Sequence, residues 1–545
     1  MREKHSGPPI LLVENDRRVR ESYEELLRYW GYLPVLAVGE GKALTRDAIA
    51  KARKYHCILA LIDLRLTDDF DEEDTSGLNL AGEIGPIRSI ILSAFPNPSI
   101  LLDMLDNHKD IPFLRKSDSP EKIKKTLDNE VGKVCAEKRG LQITPGDLLD
   151  QIARTTFGPL IEDYPDQVAD ILAQLLPGAK NLKIEKLDSS LSFSHASTVP
   201  RPRSVVLRVY EEDYEPVVVK LARAEKIEVE VNRYEKYIAR KIGGNFIAKL
   251  ERHAKLWDIG GALYSYIGDF DVKTFSRYYE EHPFEEIQVC LESFFTVCWW
   301  RHYERKQPQK NVSLFDLYNE TWGKWYEKRV RKFSTQDFLA NDALRKRLCL
   351  PDPIVWFKTK IAENPETDVS RVEHTEKAIT HGDLHGDNLL VDSHQNAWVI
   401  DFERSGEGHA LQDFVELEAD IINRLEAHTE DTASYLQMCL TITAPTEIRP
   451  FAEEEMKSQD PGFQKALQTL SLLRVLALKC TAITDARQYL LGLLFNTIFR
   501  ATINNAEKHR ARQHRALTLA GIFCHRLDHW NEPWPPEEWK PILQK

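Results

Sequence analysis

The residues between His381 and Asp401 are of types, and at spacings, that could move a phosphoryl group. The segment 378–403 reads AITHGDLHGDNLLVDSHQNAWVIDFE. The segment reads as a strand, a loop, a strand, a turn and a third strand: two apolar runs, Leu389-Leu390-Val391 and Trp398-Val399-Ile400, flank the turn Ser393-His394-Gln395-Asn396. The polar residues gather at the ends of these runs. His381-Gly382-Asp383 opens the preceding loop, Asn388 closes it, and Asp401 follows the second strand. Transfer from a nucleotide needs one carboxylate that orients a hydroxyl nucleophile and takes its proton. It also needs an amide oxygen and a second carboxylate that hold magnesium against the phosphates. Asp383 suits the first task, and Asn388 with Asp401 the second. The competing reading is a hairpin decorated with surface acids, since Asp, Gly and Asn are common turn residues. A zinc pair from His381 and His385 is disfavoured, because the two lie on a Gly-rich loop with no Cys pair nearby.

The order of these residues resembles the protein-kinase pattern of H-R-D, then Asn, then D-F-G. Here the three parts are His381-Gly382-Asp383, Asn388 and Asp401-Phe402-Glu403. Gly in place of Arg, and Glu after Asp-Phe, resemble the aminoglycoside phosphotransferase and choline kinase families, which share the protein-kinase fold. The resemblance spans roughly residues 181–425. It implies ATP and Mg2+ as cofactors, Asp383 as the catalytic base, and an acceptor that is a small molecule or a protein.

The elements that must position such a site are legible upstream. Strands are expected at 182–187, 204–210 and 216–221, then a helix over 225–241, then strands at 254–259 and 262–267. In the kinase pattern a strand lysine contacts the α/β-phosphates and a helix glutamate holds it. Lys220 fits the first role and Glu230 the second, with Glu235 as the alternative. The phosphate loop falls in 189–204, which contains no glycine. Ser192 and Ser194 at its tip are the candidates to meet phosphate through hydroxyl and backbone N–H groups. Tyr266-Ile267 would be the hinge where adenine binds. Downstream, Asp413 is placed to buttress the catalytic loop. Aromatic-rich helices are expected over 283–305 and 312–345, and closing helices near 463–482, 485–506 and 509–528.

A second group of polar residues lies near the N-terminus. Ile10–Val13, 33–38, Ile58–Ile62, Ser89–Leu92 and Phe113–Arg115 are strand-like runs separated by helical spacing, which makes five βα units and a doubly wound sheet. Polar residues follow the strand ends: Glu14, Asn15, Asp63, Ser93 and Lys116. This set resembles the receiver domain of bacterial response regulators, over about residues 8–132. That resemblance implies Asp63 as the phosphoacceptor and Glu14 with Asp63 as magnesium ligands. It places Ser93 and Lys116 on the phosphoryl oxygens and Phe113 at an aromatic switch position. A sensor histidine kinase would be the phosphodonor. A carboxylate nucleophile needs such a metal and lysine to neutralise the incoming anion.

The fold class expected is therefore multidomain α/β plus α+β. A (βα)5 receiver occupies 1–135 and a helical connector 136–180. The small lobe of a bilobal protein-kinase-like fold occupies 181–270, and its large helical lobe 271–545. At 545 residues several cores are required. A net charge of −12 argues against nucleic acid as partner. The basic run Lys328-Arg329-Val330-Arg331-Lys332 reads as one solvated helix face. Eight scattered cysteines without a C-x-x-C suit a reducing compartment. No apolar stretch approaches the ~18 residues of a membrane span, and a cytoplasmic location is expected. Three functions fit. The leading one is a phosphorelay protein whose receiver regulates a kinase-like phosphotransferase. The others are a non-catalytic scaffold with a nucleotide-binding pseudokinase, and an antibiotic or metabolite kinase with a vestigial receiver.

Overall fold

The computed structural model describes residues 7–68, 71, 73–94, 110–161, 166–186, 204–242, 247–266, 272–335, 342–425, 432–458, 460–503 and 510–539. The chain is mixed α/β and helix-rich. It forms two compact units, one from residues 1–187, 200–228 and 250–266, the other from 188–199, 229–249 and 267–545.

The first unit begins with a parallel sheet: β1 (Pro9–Val13), β2 (Leu33–Leu36), β3 (Leu59–Asp63), β4 (Arg88–Ser93) and β5 (Phe113–Arg115), in the order β2-β1-β3-β4-β5. Every residue of β1 and β3 is buried, as continuous apolar runs covered on both faces must be. That strand order puts ligand sites at the carboxyl ends of the strands. Asp16 caps the helix Arg17–Tyr29, accepting from the N–H groups of Arg18 and Val19 at 2.7 and 3.0 Å. Ser119 does the same for Pro120–Gly132.

A second sheet follows in the same unit. It comprises β6 (Gln142–Thr144), β7 (Asn181–Lys186), β8 (Val205–Glu211), β9 (Val217–Arg223), β10 (Leu250–Leu256) and β11 (Ile259–Ser265), ordered β10-β11-β9-β8-β7-β6. The helical reading of the connector 136–180 misses β6. This short strand runs parallel to β7 with Ile143 opposite Leu182, and three residues before a proline are too few to show a period. The helices Gly146–Ile152 and Gln167–Leu175 form after it. The expected strand 254–259 runs across a turn, for β10 ends at Leu256 and Trp257 takes φ +53°.

One apolar core runs from Ile10 to Leu263 and joins the two sheets of this unit. Polar contacts add to it. The Ala136 N–H donates to Asp170 at 2.8 Å, and Trp257 Nε1 at the β10–β11 turn donates to the Cys57 carbonyl at 2.9 Å.

Among the described residues the second unit carries six strands: β12 (Lys273–Thr274), β13 (Gln307–Ser313), β14 (Arg371–Thr380), β15 (Leu389–Val391), β16 (Ala397–Val399) and β17 (Gly406–His409). They form two sheets, β12-β15-β16 and β13-β14-β17. The helical expectation over 312–345 fails at its start, where β13 ends and Ser313 caps the helix Leu314–Thr321. The aromatic stretch 283–305 is two helices, Phe284–Ser293 and Trp300–Glu304, joined through a π-helical turn. The closing helices are Pro461–Thr481, Ala486–Ile503 and Arg510–Asp528. Among the described residues no helix is long and apolar enough to cross a membrane. All eight cysteine thiols are free.

Candidate functional sites

In the first unit the strand ends bring Glu14, Asp63, Ser93 and Lys116 together. The Lys116 ammonium lies 2.7 Å from Glu14 and 3.1 Å from Asp63. Glu14 is fully buried and Asp63 nearly so. The Lys116 N–H donates to the Ser93 carbonyl at 2.8 Å, which seats the lysine beside β4. Burial pulls the Lys116 pKa down, but Asp63 and Glu14 together outweigh it and raise the value. Burial likewise pushes Tyr23 up to about 12, with Glu14 and Asp63 adding to it against Lys116. A Cβ on Gly77 would lie 2.0 Å from the Asp63 carbonyl oxygen, so only glycine lets the next helix come this close to β3. Phe113 is half-buried on β5. Two carboxylates and an ammonium in a buried pocket can accept a small anion at one carboxylate only if a cation balances the added charge.

In the second unit β14 delivers the chain to His381, which is buried. Trp299 Nε1 donates to the Ile379 carbonyl at 3.0 Å, and its ring meets His381 edge-on. His381 Nε2 donates to the Ile400 carbonyl at 3.0 Å. Burial lowers the His381 pKa, so the ring is neutral and serves as a fixed strut between the loop and β16. Gly382 takes φ +78°, and a Cβ there would lie 2.5 Å from the Arg404 carbonyl oxygen. A side chain cannot stand at that position.

Asp383 follows, and its carboxylate meets Arg404 at 3.0 Å. Burial works against the Arg404 charge, yet Asp383 and three further acids, Glu416, Glu403 and Asp401, raise its pKa. Asn388 donates from Nδ2 to the Asp383 carbonyl at 2.9 Å, which turns its amide oxygen the other way. The Ile400 N–H donates to the Asn388 carbonyl, so Asn388 lies across the hairpin from the residue before Asp401. Asp401 sits at φ +69°, a conformation that costs a non-glycine residue energy and that clusters at functional sites. Ser405 Oγ donates to the His381 carbonyl at 3.2 Å and Arg233 donates to the Ser405 carbonyl at 3.0 Å, so the turn after Asp401 is held to the loop. The donors offered near Asn388 and Asp401 are an amide oxygen and a carboxylate, which suit a hard divalent cation. Among the described residues no group of three or more His, Cys, Asp or Glu stands ready as a metal site.

The remaining sequence candidates are placed as follows. Lys220 lies on β9 opposite Ala262 and is almost fully buried. Glu230 is fully buried on the helix Ala224–Arg233, whereas Glu235, the alternative, is exposed. Lys220 and Glu230 belong to different units. Ser192 and Ser194, and Ile267 of the expected hinge, lie outside the described residues.

Sequence reasoning named Asp413 but missed most of what holds the loop. The helix Gln412–Asp420 is buried along its whole length and turns three acids to the loop backbone. Asp413 accepts from the N–H groups of His381 and Gly382, both at 3.0 Å, and from Tyr303 Oη. Glu416 accepts from the Leu384 N–H at 2.7 Å, and Asp420 from the Gly386 N–H at 2.9 Å. Burial raises the Asp413 pKa and pushes Glu416 up to about 8, with Asp413 and Asp383 adding to the latter. Burial also works against the Asp420 charge, but Arg424 and Arg500 outweigh it and hold that carboxyl well below the usual range. Arg404 was missed as well, although it stands three residues past Asp401.

The family described as Ternary complex associated domain 9 matches residues 346–498, which contain the loop, the hairpin and the acid-bearing helix. No curated protein matches. Among solved structures, the GDP and kanamycin complex of APH(2")-IIia is 13% identical, with 67% of this chain and 100% of that chain covered and a TM-score of 0.36. LicA in complex with AMP is 10% identical, covering 62% of this chain and 96% of that one, TM-score 0.31. The Vibrio cholerae chemotaxis protein CheY4 is 20% identical, covering 23% of this chain and 99% of its own, TM-score 0.19.

Proposed function

We propose that the chain is a phosphorelay protein in which a receiver-like sheet regulates a kinase-like phosphotransferase that moves a phosphoryl group from ATP to a hydroxyl acceptor. The observation that carries this reading is the loop 381–388 closed on its hairpin. It sets Asp383 at one end and Asn388 at the other, with the Asn388 side-chain amide donating to the Asp383 carbonyl and the Asn388 backbone carbonyl accepting from Ile400, the residue before Asp401. Asp383 orients the acceptor hydroxyl and takes its proton, while Arg404 fixes the carboxylate's rotamer and balances its charge. Asn388 and Asp401 would hold magnesium, which when bound neutralises phosphate charge. Lys220 and Glu230, both buried, are assigned to the phosphates and to the lysine's orientation; Ser192 and Ser194 are assigned to the phosphate loop. Titrating ATP with and without magnesium tests the metal assignment. Tighter binding with magnesium is expected in the parent and not in Asp401→Ala; equal affinity in both conditions overturns it.

In the first unit Asp63 is the phosphoacceptor, supplied by a sensor histidine kinase, with Glu14 as its partner in holding magnesium. Lys116 and Ser93 meet the phosphoryl oxygens, and Phe113 repacks. Incubation with a small phosphodonor and magnesium should add one phosphoryl mass to the parent and none to Asp63→Asn. The scaffold reading has one observation in its favour: Arg404 already engages a carboxylate oxygen of Asp383. Nucleotide binding without turnover in both parent and Arg404→Gln would select it.

A further inference from the structure

The loop 381–388 has no sheet partner of its own along most of its length, so its shape must be fixed by other bonds. Four of its backbone N–H groups, those of His381, Gly382, Leu384 and Gly386, end on carboxylates of one helix, Gln412–Asp420. Asp413, Glu416 and Asp420 fall at i, i+3 and i+7. At ~100° per residue these side chains lie within about 60° of one another on the helix surface. The helix is held from behind as well. Glu418, on another face, pairs with Arg474 at 2.9 Å and accepts from Tyr489 Oη at 2.6 Å, all three groups buried.

The three acids are not equivalent. Asp420 is clamped by Arg424 and Arg500, each at 2.7 Å, and Arg424 goes on to Asp387 of the loop at 3.0 Å and to Ser276 Oγ. No ion pair joins Glu416 to an arginine among the described residues. Glu416 accepts instead from three N–H groups: Leu384 of the loop, Gln412 Nε2 at 2.9 Å, and Trp322 Nε1 at 2.8 Å. Trp322 closes the helix Leu314–Thr321 and packs on Phe499 at 5.3 Å. The Arg404 guanidinium, partner of Asp383, lies over the same Phe499 ring at 5.8 Å. Glu416 thus sits between the loop backbone and the aromatic group that backs Arg404.

We infer that Glu416 and Asp420 are positioning residues, which fix the backbone on the C-terminal side of Asp383 and thereby aim Asp383 and Asn388. This rests on the phosphoryl-transfer reading and adds to it residues that never touch a substrate. A buried N–H left without an acceptor is costly, whatever the charge of the group that accepted from it. Replacing Glu416 by Gln keeps the volume but sets a second NH2 among three donors. One of those donors then loses its acceptor.

The test compares the full-length parent, Glu416→Gln and the milder Trp322→Phe. Two readouts are taken: amide hydrogen exchange of the peptide covering 380–388, without ligand, and ATP turnover with its KM. Glu416→Gln is expected to speed exchange in that peptide and to lower kcat by about 10²-fold, the order that small misplacements cost, while KM for ATP changes little. Trp322→Phe should move both readouts the same way by less. Unchanged exchange overturns the inference, and so does faster exchange with unchanged kcat. A parent with no turnover defeats the phosphoryl-transfer reading instead, and the exchange comparison still decides whether the loop depends on Glu416.

Discussion

At Asp63 the carboxylates extend from the ends of parallel strands, whereas at Asp383 the carboxylate rides on a loop whose backbone is held by acids of a neighbouring helix. The first arrangement takes its geometry from sheet pairing. β1, β3 and β4 are in register from end to end, and one lysine answers two acids. The second takes its geometry from buried acids, Asp413, Glu416 and Asp420, and from the half-buried arginines Arg404, Arg424 and Arg500. A sheet end tolerates loss of a charge because apolar packing still defines the backbone. A loop held by buried carboxylates does not, because each lost acceptor strands an N–H or an arginine.

The sharpest break of this contrast is Asp420→Asn. It removes a buried carboxylate from two arginines and one loop amide, and should destabilise the protein by about 3–5 kcal/mol at neutral pH. The sign with pH follows from the lowered pKa of Asp420. A carboxyl depressed by folding stabilises above its unfolded value near 3.8 and loses that contribution as pH falls through its folded value. The gap between parent and Asp420→Asn in urea unfolding should therefore be full at pH 7 and shrink only below about pH 4. A gap that is the same at pH 7 and pH 3 would show that Asp420 is not ionised in the fold. By contrast Asp63→Asn, at a sheet end, should change unfolding midpoints far less.

A smaller effect is expected at Gly77, where the first site is sensitive for steric rather than electrostatic reasons. Gly77→Ala drives a Cβ into the Asp63 carbonyl, and overpacking of that kind costs about 1–3 kcal/mol. If strand ends set that site, the variant should also slow labelling of Asp63 by a phosphodonor; unchanged labelling would mean that the approach is not needed. The smallest effect belongs to Trp257→Phe, which removes the bond to the Cys57 carbonyl at the turn between β10 and β11. A loss of about 1 kcal/mol is expected, with both sheets of the first unit still melting in one transition because their core is continuous. Two separate transitions would contradict the single core.

The contrast also explains what the sequence disclosed. The strands of the first sheet are unbroken apolar runs such as ILLV and ILALI, and the polar residues that end them stand out at once. That Asp383, Asn388 and Asp401 flank one loop and its hairpin is expected from the sequence, and Gly382 has its cause in the Arg404 carbonyl beside it. Of the acids that hold the loop, Asp413 is named from the sequence, but Glu416 and Asp420 are not. In QDFVELEAD the alternation of acidic and apolar residues reads as an exposed helix face, yet the whole helix is buried, and only the loop amides and arginines brought there by the fold explain it. β13 and the first part of β14, ahead of the strand expected from residue 378, were hidden for a related reason. QPQKNVS and RVEHTEKAIT are polar strands, and no apolar run marks them. Of the two glutamates weighed on the helix after Lys220, Glu230 is buried and Glu235 exposed.

The most direct test is ATP turnover by the parent and by Asp383→Asn, with nucleotide affinity measured in parallel at saturating magnesium. If Asp383 takes the acceptor proton, the substitution should lower turnover by about 10²–10⁴-fold and leave nucleotide affinity within a few-fold. Turnover in Asp383→Asn equal to that of the parent would contradict the assignment of this loop to phosphoryl transfer.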